Sequence, residues 1–154
     1  MFIVRQIRTE DVPAVLKLAR LVHSFNLPAD RDSIASKVER SRQSFSGRLE
    51  NPGDRLHMFV LEDTETGNLI GTSMIIGSVS KAGSPHVYLE VSKRSFWSED
   101  LQQGQTHKVL TLGFDETGPT DLAGLVLAPG YRGHRERLGG FLSMVRFHFL
   151  GLHR

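Results

Sequence analysis

The sequence predicts a layered α/β domain, α+β in its arrangement, with a mixed and mostly antiparallel sheet flanked by helices. Three observations predict it. The element order reads strand, two helices, a run of strands, a loop and a helix, which places helices on a largely antiparallel sheet. The 154 residues suit one domain, expected to span 1–154. Apolar residues make up 39% and charged residues 23%, a balance that supports a packed core.

The elements follow in order. Phe2, Val4 and Gln6 alternate with Ile3, Arg5 and Ile7, a β-branched run that reads as a first strand. Thr9 offers an N-cap, with Pro13 near the first helical position. Val12, Val15, Leu16, Ala19 and Val22 recur at helical spacing, so a helix is expected over about 10–23. Asn26-Leu27-Pro28 breaks it, and Asp32 or Ser33 is expected to start a second helix running to about Phe45. Asn51-Pro52-Gly53-Asp54 marks a loop. Strands are expected over 57–62 and 69–79, joined by the turn Asp63 to Asn68. Two more are expected over 86–95 and 106–114. Leu122 to Leu127 is nearly all apolar, as in a strand covered on both faces. A basic, glycine-containing loop runs from Tyr131 to Gly140, and Phe141 to Leu150 reads as a final apolar helix.

Composition narrows the function classes. The absence of cysteine removes disulfides, thiol nucleophiles and cysteine zinc sites. His148 and His153 stand five apart, which is not metal-ligand spacing on a helix, so no metal is expected. The net charge of +2, from 19 basic and 17 acidic residues, argues for neither nucleic acid nor an anionic membrane. No apolar run approaches the length of a membrane span, and the N-terminus lacks a signal-peptide pattern, so a cytoplasmic protein is expected.

The informative chemistry lies between residues 125 and 142. The apolar strand ending Leu125-Val126-Leu127 feeds a loop holding Arg132, Gly133, His134, Arg135 and Arg137, and then Gly139 and Gly140 at a helix start. A helix start presents free N–H groups and the positive end of a dipole. Glycines let the backbone approach an anion closely, and arginines add charge-assisted contacts. The pattern suits a pyrophosphate; the plainer reading is a solvated basic loop capping a core helix. Strand, Arg-x-x-Gly-x-Gly-type loop and helix resemble the pyrophosphate cradle of GNAT acyltransferases, although this loop is about two residues longer.

A wider set of segments resembles the arginine N-succinyltransferases. Phe59-Val60-Leu61-Glu62-Asp63-Thr64-Glu65-Thr66-Gly67 is similar to that family's Phe-Val-Leu-Glu-Asp-Ser-Glu-Thr-Gly. Val4 to Arg8 with Asp11-Val12 resembles its first strand and helix start. Leu112 to Gly118 with Asp121-Leu122 resembles its turn before the CoA-binding strand. Leu125 to Arg132 resembles its Leu-Phe-Leu-Asp-Pro-Asp-Trp-Arg, and Leu142 to Phe147 matches its Leu-Ser-x-x-Arg-Phe.

The resemblance implies a GNAT-like acyl-CoA N-acyltransferase fold, incomplete on its C-terminal side, since family members are about twice as long and carry their proposed catalytic histidine in the second half. It implies transfer of succinyl from succinyl-CoA to the α-amino group of arginine, in arginine catabolism. It places an acyl-CoA contact on Leu125, with the backbone of Leu125, Val126 and Leu127 along the pantetheine. Acetyl-CoA with another amine is the alternative donor and acceptor pair. A non-catalytic half-domain that binds CoA or a partner chain is the alternative of another class.

The catalytic residue is not fixed by the sequence. Glu90 and His107 are candidate bases, each with a plainer reading as an exposed strand residue. Tyr131 stands where a thiolate donor is wanted, with packing beside the loop as its plainer task. Asp115 and Glu116 can bind a guanidinium bidentately, and turn chemistry explains them equally well. Arg146, inside an apolar helix, reads as a snorkelling or paired structural residue. A free sheet edge predicts a homo-oligomer or a second subunit.

Overall fold

The computed structural model describes residues 1–22 and 26–153. The chain forms two compact units, Met1–Ser78 with Thr120–Arg154, and Val79–Pro119.

The first unit holds a four-stranded antiparallel sheet in the order β1-β2-β3-β6, from β1 (Phe2–Gln6), β2 (Leu56–Asp63), β3 (Asn68–Ile76) and β6 (Asp121–Leu127). Helices α1 (Val12–Ala19), α2 (Arg31–Phe45) and α3 (Leu138–Leu152) flank it. Val12, Val15, Leu18, Ile34 and Val38 from α1 and α2 pack with Met58, Val60, Met74, Ala123 and Val126 of the sheet. A second cluster joins Leu138 and Leu142 of α3 to Leu61 and Ile70, with Phe2, Val4, Leu127 and Tyr131 packed against it. A Cβ on Gly71 would stand 2.8 Å from both Leu142 Cδ2 and the Val126 carbonyl oxygen, so glycine is what lets α3 settle this close to β3.

Polar groups fix the seams. Arg5 donates bidentately to Asp11 at 2.7 and 3.0 Å, and to Glu62 at 2.6 Å, tying β1 to β2 and to the entry of α1. Burial pushes the Asp11 carboxyl up, but Arg5 and the Arg8 N–H outweigh it, and the group ends below its ordinary value. Where β1 pairing stops, α2 takes over: Ser44 Oγ accepts from the Leu56 N–H and Ser41 Oγ from the Met58 N–H, both at 2.9 Å. These two serines explain how a helix with few apolar residues docks on the strand.

Several boundaries differ from the sequence reading. A 3-10 turn at Thr9–Asp11 precedes α1, and Thr9 lies inside it rather than capping the helix. Helix α1 ends at Ala19 instead of running to 23, and residue 23 lies outside the described residues. Asp30, not Asp32 or Ser33, caps α2, accepting from the Ser33 N–H at 2.8 Å. Helix α3 starts three residues before Phe141 because Gly139 and Gly140, read as loop, form its first turn. The strand 122–127 meets a helix cluster on each face, as expected, but it lies at the sheet edge and its Leu125 is 47% exposed.

The second unit is a ribbon of β4 (His86–Ser98) and β5 (Gln103–Asp115), paired residue by residue from His86↔Asp115 to Ser98↔Gln103. Its strands are longer than the sequence alternation indicated.

Candidate functional site

The site is built on β6. Pairing with β3 runs Thr72↔Val126 and then Met74↔Ala123, so Gly124 and Leu125 together oppose Ser73. This is a β-bulge. Gly124 holds φ at +58°, a left-handed conformation that a Cβ would disfavour, and a Cβ there would also press into Met74. Thr72 Oγ1 donates to the Gly124 carbonyl at 3.0 Å and locks the bulge. The bulge turns Leu125 outward, and the outer edge of β6 has no strand partner among the described residues. Backbone groups of Leu125, Val126 and Leu127 therefore border an open edge that another extended group can join.

Beyond β6, a 3-10 turn at Pro129–Tyr131 leads into the basic loop. Arg132 Nε donates to the Leu127 carbonyl at 3.2 Å, folding the loop back over the strand end. Gly133 sits at φ +73°. The His134 ring stands edge-on to Phe2, with centroids 5.2 Å apart, and its Nδ1 accepts from the Glu136 N–H at 3.2 Å. A ring that accepts at Nδ1 carries its N–H donor at Nε2.

Arg137, left-handed at φ +53°, opens α3, and no side chain caps the helix. Leu138, Gly139 and Gly140 have no carbonyl one turn behind them, so their N–H groups point out of the helix at the positive end of its dipole. A Cβ on Gly140 would meet open space. Arg132, Arg135 and Arg137 are exposed, and no ion pair among the described residues includes them. Exposed Arg132, Arg135 and Arg137 and an uncapped, glycine-rich helix start follow one another beside an open strand edge, a combination that suits an anion.

Not every candidate joins it. Tyr131 donates through its hydroxyl to Asp63 at 3.1 Å, and desolvation, then this bond, pushes the phenol up. Its ring lines a cleft of about 370 Å³ with Lys17, Leu21, Asn68 and Ala128. Glu90, His107, Asp115 and Glu116 all belong to the second unit. Glu90 is exposed opposite Thr111, and the His107 ring lies 5.7 Å from that of Phe96. Asp115 accepts from the Thr117 N–H at 2.7 Å, the Thr117 hydroxyl and then this N–H lower its carboxyl, and Glu116 accepts from the Gly83 N–H at 3.2 Å. Both carboxylates thus accept from backbone N–H groups of turns. Arg146 is 95% buried and bonds back to Ser143 of its own helix. Among the described residues no group of three or more His, Asp or Glu is placed to hold a metal. No helix of the described residues is long and apolar enough to cross a membrane.

A bulged edge strand thus runs directly into an uncapped, glycine-rich helix start. The comparisons name the family. The family model described as arginine N-succinyltransferase beta subunit matches residues 2–154. The chain belongs to that family. It is similar to arginine N-succinyltransferases of Yersinia pestis, at 32% identity over 156 residues, and of Yersinia enterocolitica, at 33%. These matches cover 100% of this chain but 43% and 44% of those proteins, so the chain spans less than half the length of the curated relatives it matches. A solved structure, arginine/ornithine succinyltransferase subunit AI from Pseudomonas aeruginosa, superposes with a TM-score of 0.84 at 26% identity, covering 99% of this chain and 46% of that one.

The bulge was missing from the sequence reading. Its signal was Gly124 inside an apolar run, since a lone glycine in a strand often marks a bulge.

Proposed function

We propose that this chain holds the acyl donor of an N-acyltransferase that moves succinyl from succinyl-CoA to the α-amino group of arginine. The observation that carries the reading is the continuity of the β6 bulge, the open β6 edge and the uncapped start of α3, all in one stretch of chain. Pantetheine amides pair along the backbone of Leu125 to Leu127. The pyrophosphate rests on the N–H groups of Leu138, Gly139 and Gly140, held by Arg132, Arg135 and Arg137 with His134 as a further donor. Backbone N–H groups at the bulge face the thioester and stabilise the oxyanion that forms when the amine attacks its carbonyl carbon. The C–S bond then breaks, CoA leaves as a thiolate, and the amine gives up a proton. No residue is assigned as the base: Tyr131 is engaged by Asp63, and His134 accepts at Nδ1. The relatives named arginine N-succinyltransferase support succinyl-CoA over acetyl-CoA and arginine as acceptor, and a cytoplasmic setting fits such substrates.

Thermal unfolding with succinyl-CoA, acetyl-CoA and free CoA tests this reading. A ligand at 100 times its dissociation constant stabilises by about 2.7 kcal/mol. The expected result is a raised midpoint with all three, largest for succinyl-CoA, and lost in Arg132→Ala/Arg135→Ala/Arg137→Ala. No shift with any CoA compound rejects the donor-holding role.

A further inference from the structure

The β4–β5 ribbon is two-faced. Alternation puts Val87, Leu89 and Val91 on one face with their cross-strand partners Phe114, Leu112 and Leu110. These three stacked apolar pairs are all 52–65% exposed. The other face is mixed, with Glu90 opposite Thr111 and Arg94 opposite His107 beside the isolated rings of Tyr88 and Phe96. A lone two-stranded ribbon is marginal in water, and monomers rarely leave an apolar strip of this extent bare. The next pair on the apolar face is Lys93↔Lys108, two exposed ammonium groups directly opposite each other. Like charges so placed destabilise a ribbon unless an anion comes between them.

We propose that this face is the contact between two copies of this chain, stacked ladder on ladder about a two-fold axis that runs across the strands, so that the stacked strands run in opposite directions. Charge selects this arrangement. A two-fold parallel to the strands would bring Lys93 and Lys108 of both copies into one cluster of four cations. A two-fold across the strands, passing at Leu89 and Leu112, sets each of these leucines over its own counterpart. It also sets Phe114 over Leu110 and Val87 over Val91.

The lysines of one copy then project past the ladder to the level two residues beyond the other copy's Phe114, where Glu116 lies exposed. The Glu116 carboxylate accepts from the neutral Gly83 N–H at 3.2 Å, and no ion pair among the described residues includes it, which leaves its charge for a cation. Six large apolar side chains per copy supply the dry centre of an interface of standard size, about 800 Å² per partner. The lysines and Glu116 form its charged rim. The contact uses only the second unit, so it stands apart from the acyl-transfer reading.

Sedimentation of the whole chain across micromolar concentrations is the test. A dimer is expected, converted to monomer by Leu89→Asp/Leu112→Asp while the helical circular dichroism stays unchanged. Lys108→Glu should weaken the dimer several-fold, and adding Glu116→Lys should restore it. Because the chain has no cysteine, Leu89→Cys gives a single reporter. A short bis-maleimide should link two copies through it and should not link Ser95→Cys, whose counterpart lies at the far end of the stack. A chain that stays monomeric, a dimer indifferent to Leu89→Asp/Leu112→Asp, or linkage through Ser95→Cys but not Leu89→Cys overturns the proposal.

Discussion

The two hairpins of this chain share a plan and differ in fate. Strands β2 and β3 and strands β4 and β5 are antiparallel pairs joined by polar turns, and both are rich in β-branched and aromatic residues. In the first pair Met58, Val60, Leu61, Ile70 and Met74 are at most 2% exposed, because α1 and α2 cover one face and α3 the other. In the second, Leu89, Leu110 and Leu112 are more than half exposed. Local alternation and turn chemistry make both into ribbons. What covers a ribbon decides how much its apolar side chains stabilise the chain.

That contrast is sharpest in a matched pair of truncations. Leu142→Ala removes a fully buried side chain between α3 and β3 and should destabilise the first unit by about 2–5 kcal/mol, read from the denaturant midpoint. Leu112→Ala, the same chemistry on the ribbon, should shift that midpoint by less than about 0.5 kcal/mol at concentrations where copies are dissociated. Equal costs would break the comparison.

A smaller effect reads the same core through pH. His57 sits among Phe45, Phe149 and His153, with ring centroids 4.9 Å from Phe45 and 4.7 Å from Phe149. Burial, then Arg55 and His153, push its imidazole down to about 4 from an ordinary 6.5. Between those values the unfolded chain binds the extra proton and the folded chain does not, so stability falls as pH drops from about 6.5 to about 4. His57→Phe should flatten that slope. Any loss through Asp11, whose folded value is depressed, comes at lower pH, below its ordinary 3.8.

Much of this was legible in the sequence, and the exceptions have physical causes. Strand alternation at Phe2 to Ile7 and the helical spacing of Val12, Val15 and Ala19 marked their elements, because one face of each is buried. The run Leu122 to Leu127 does meet both clusters, Ala123 and Val126 on the α1–α2 side and Leu127 on the α3 side, but an apolar run cannot report a bulge that turns Leu125 outward at an edge. Gly139 and Gly140 read as loop because glycine disfavours helix interiors, yet their place in the first turn is where bare backbone is most useful to an anion. The Arg5–Asp11–Glu62 cluster and the Tyr131–Asp63 bond join residues too far apart in sequence for periodicity to pair them. The arginines of the loop could be singled out as candidates because their spacing from the strand end is local.

The proposed seat for the pyrophosphate of an acyl-CoA at the start of α3 is tested most directly by amide hydrogen exchange. Saturating succinyl-CoA should slow exchange at Leu138, Gly139 and Gly140, with lesser protection at Leu125 to Leu127. Protection confined to other parts of the chain, or none at these amides despite measured binding, would contradict the account.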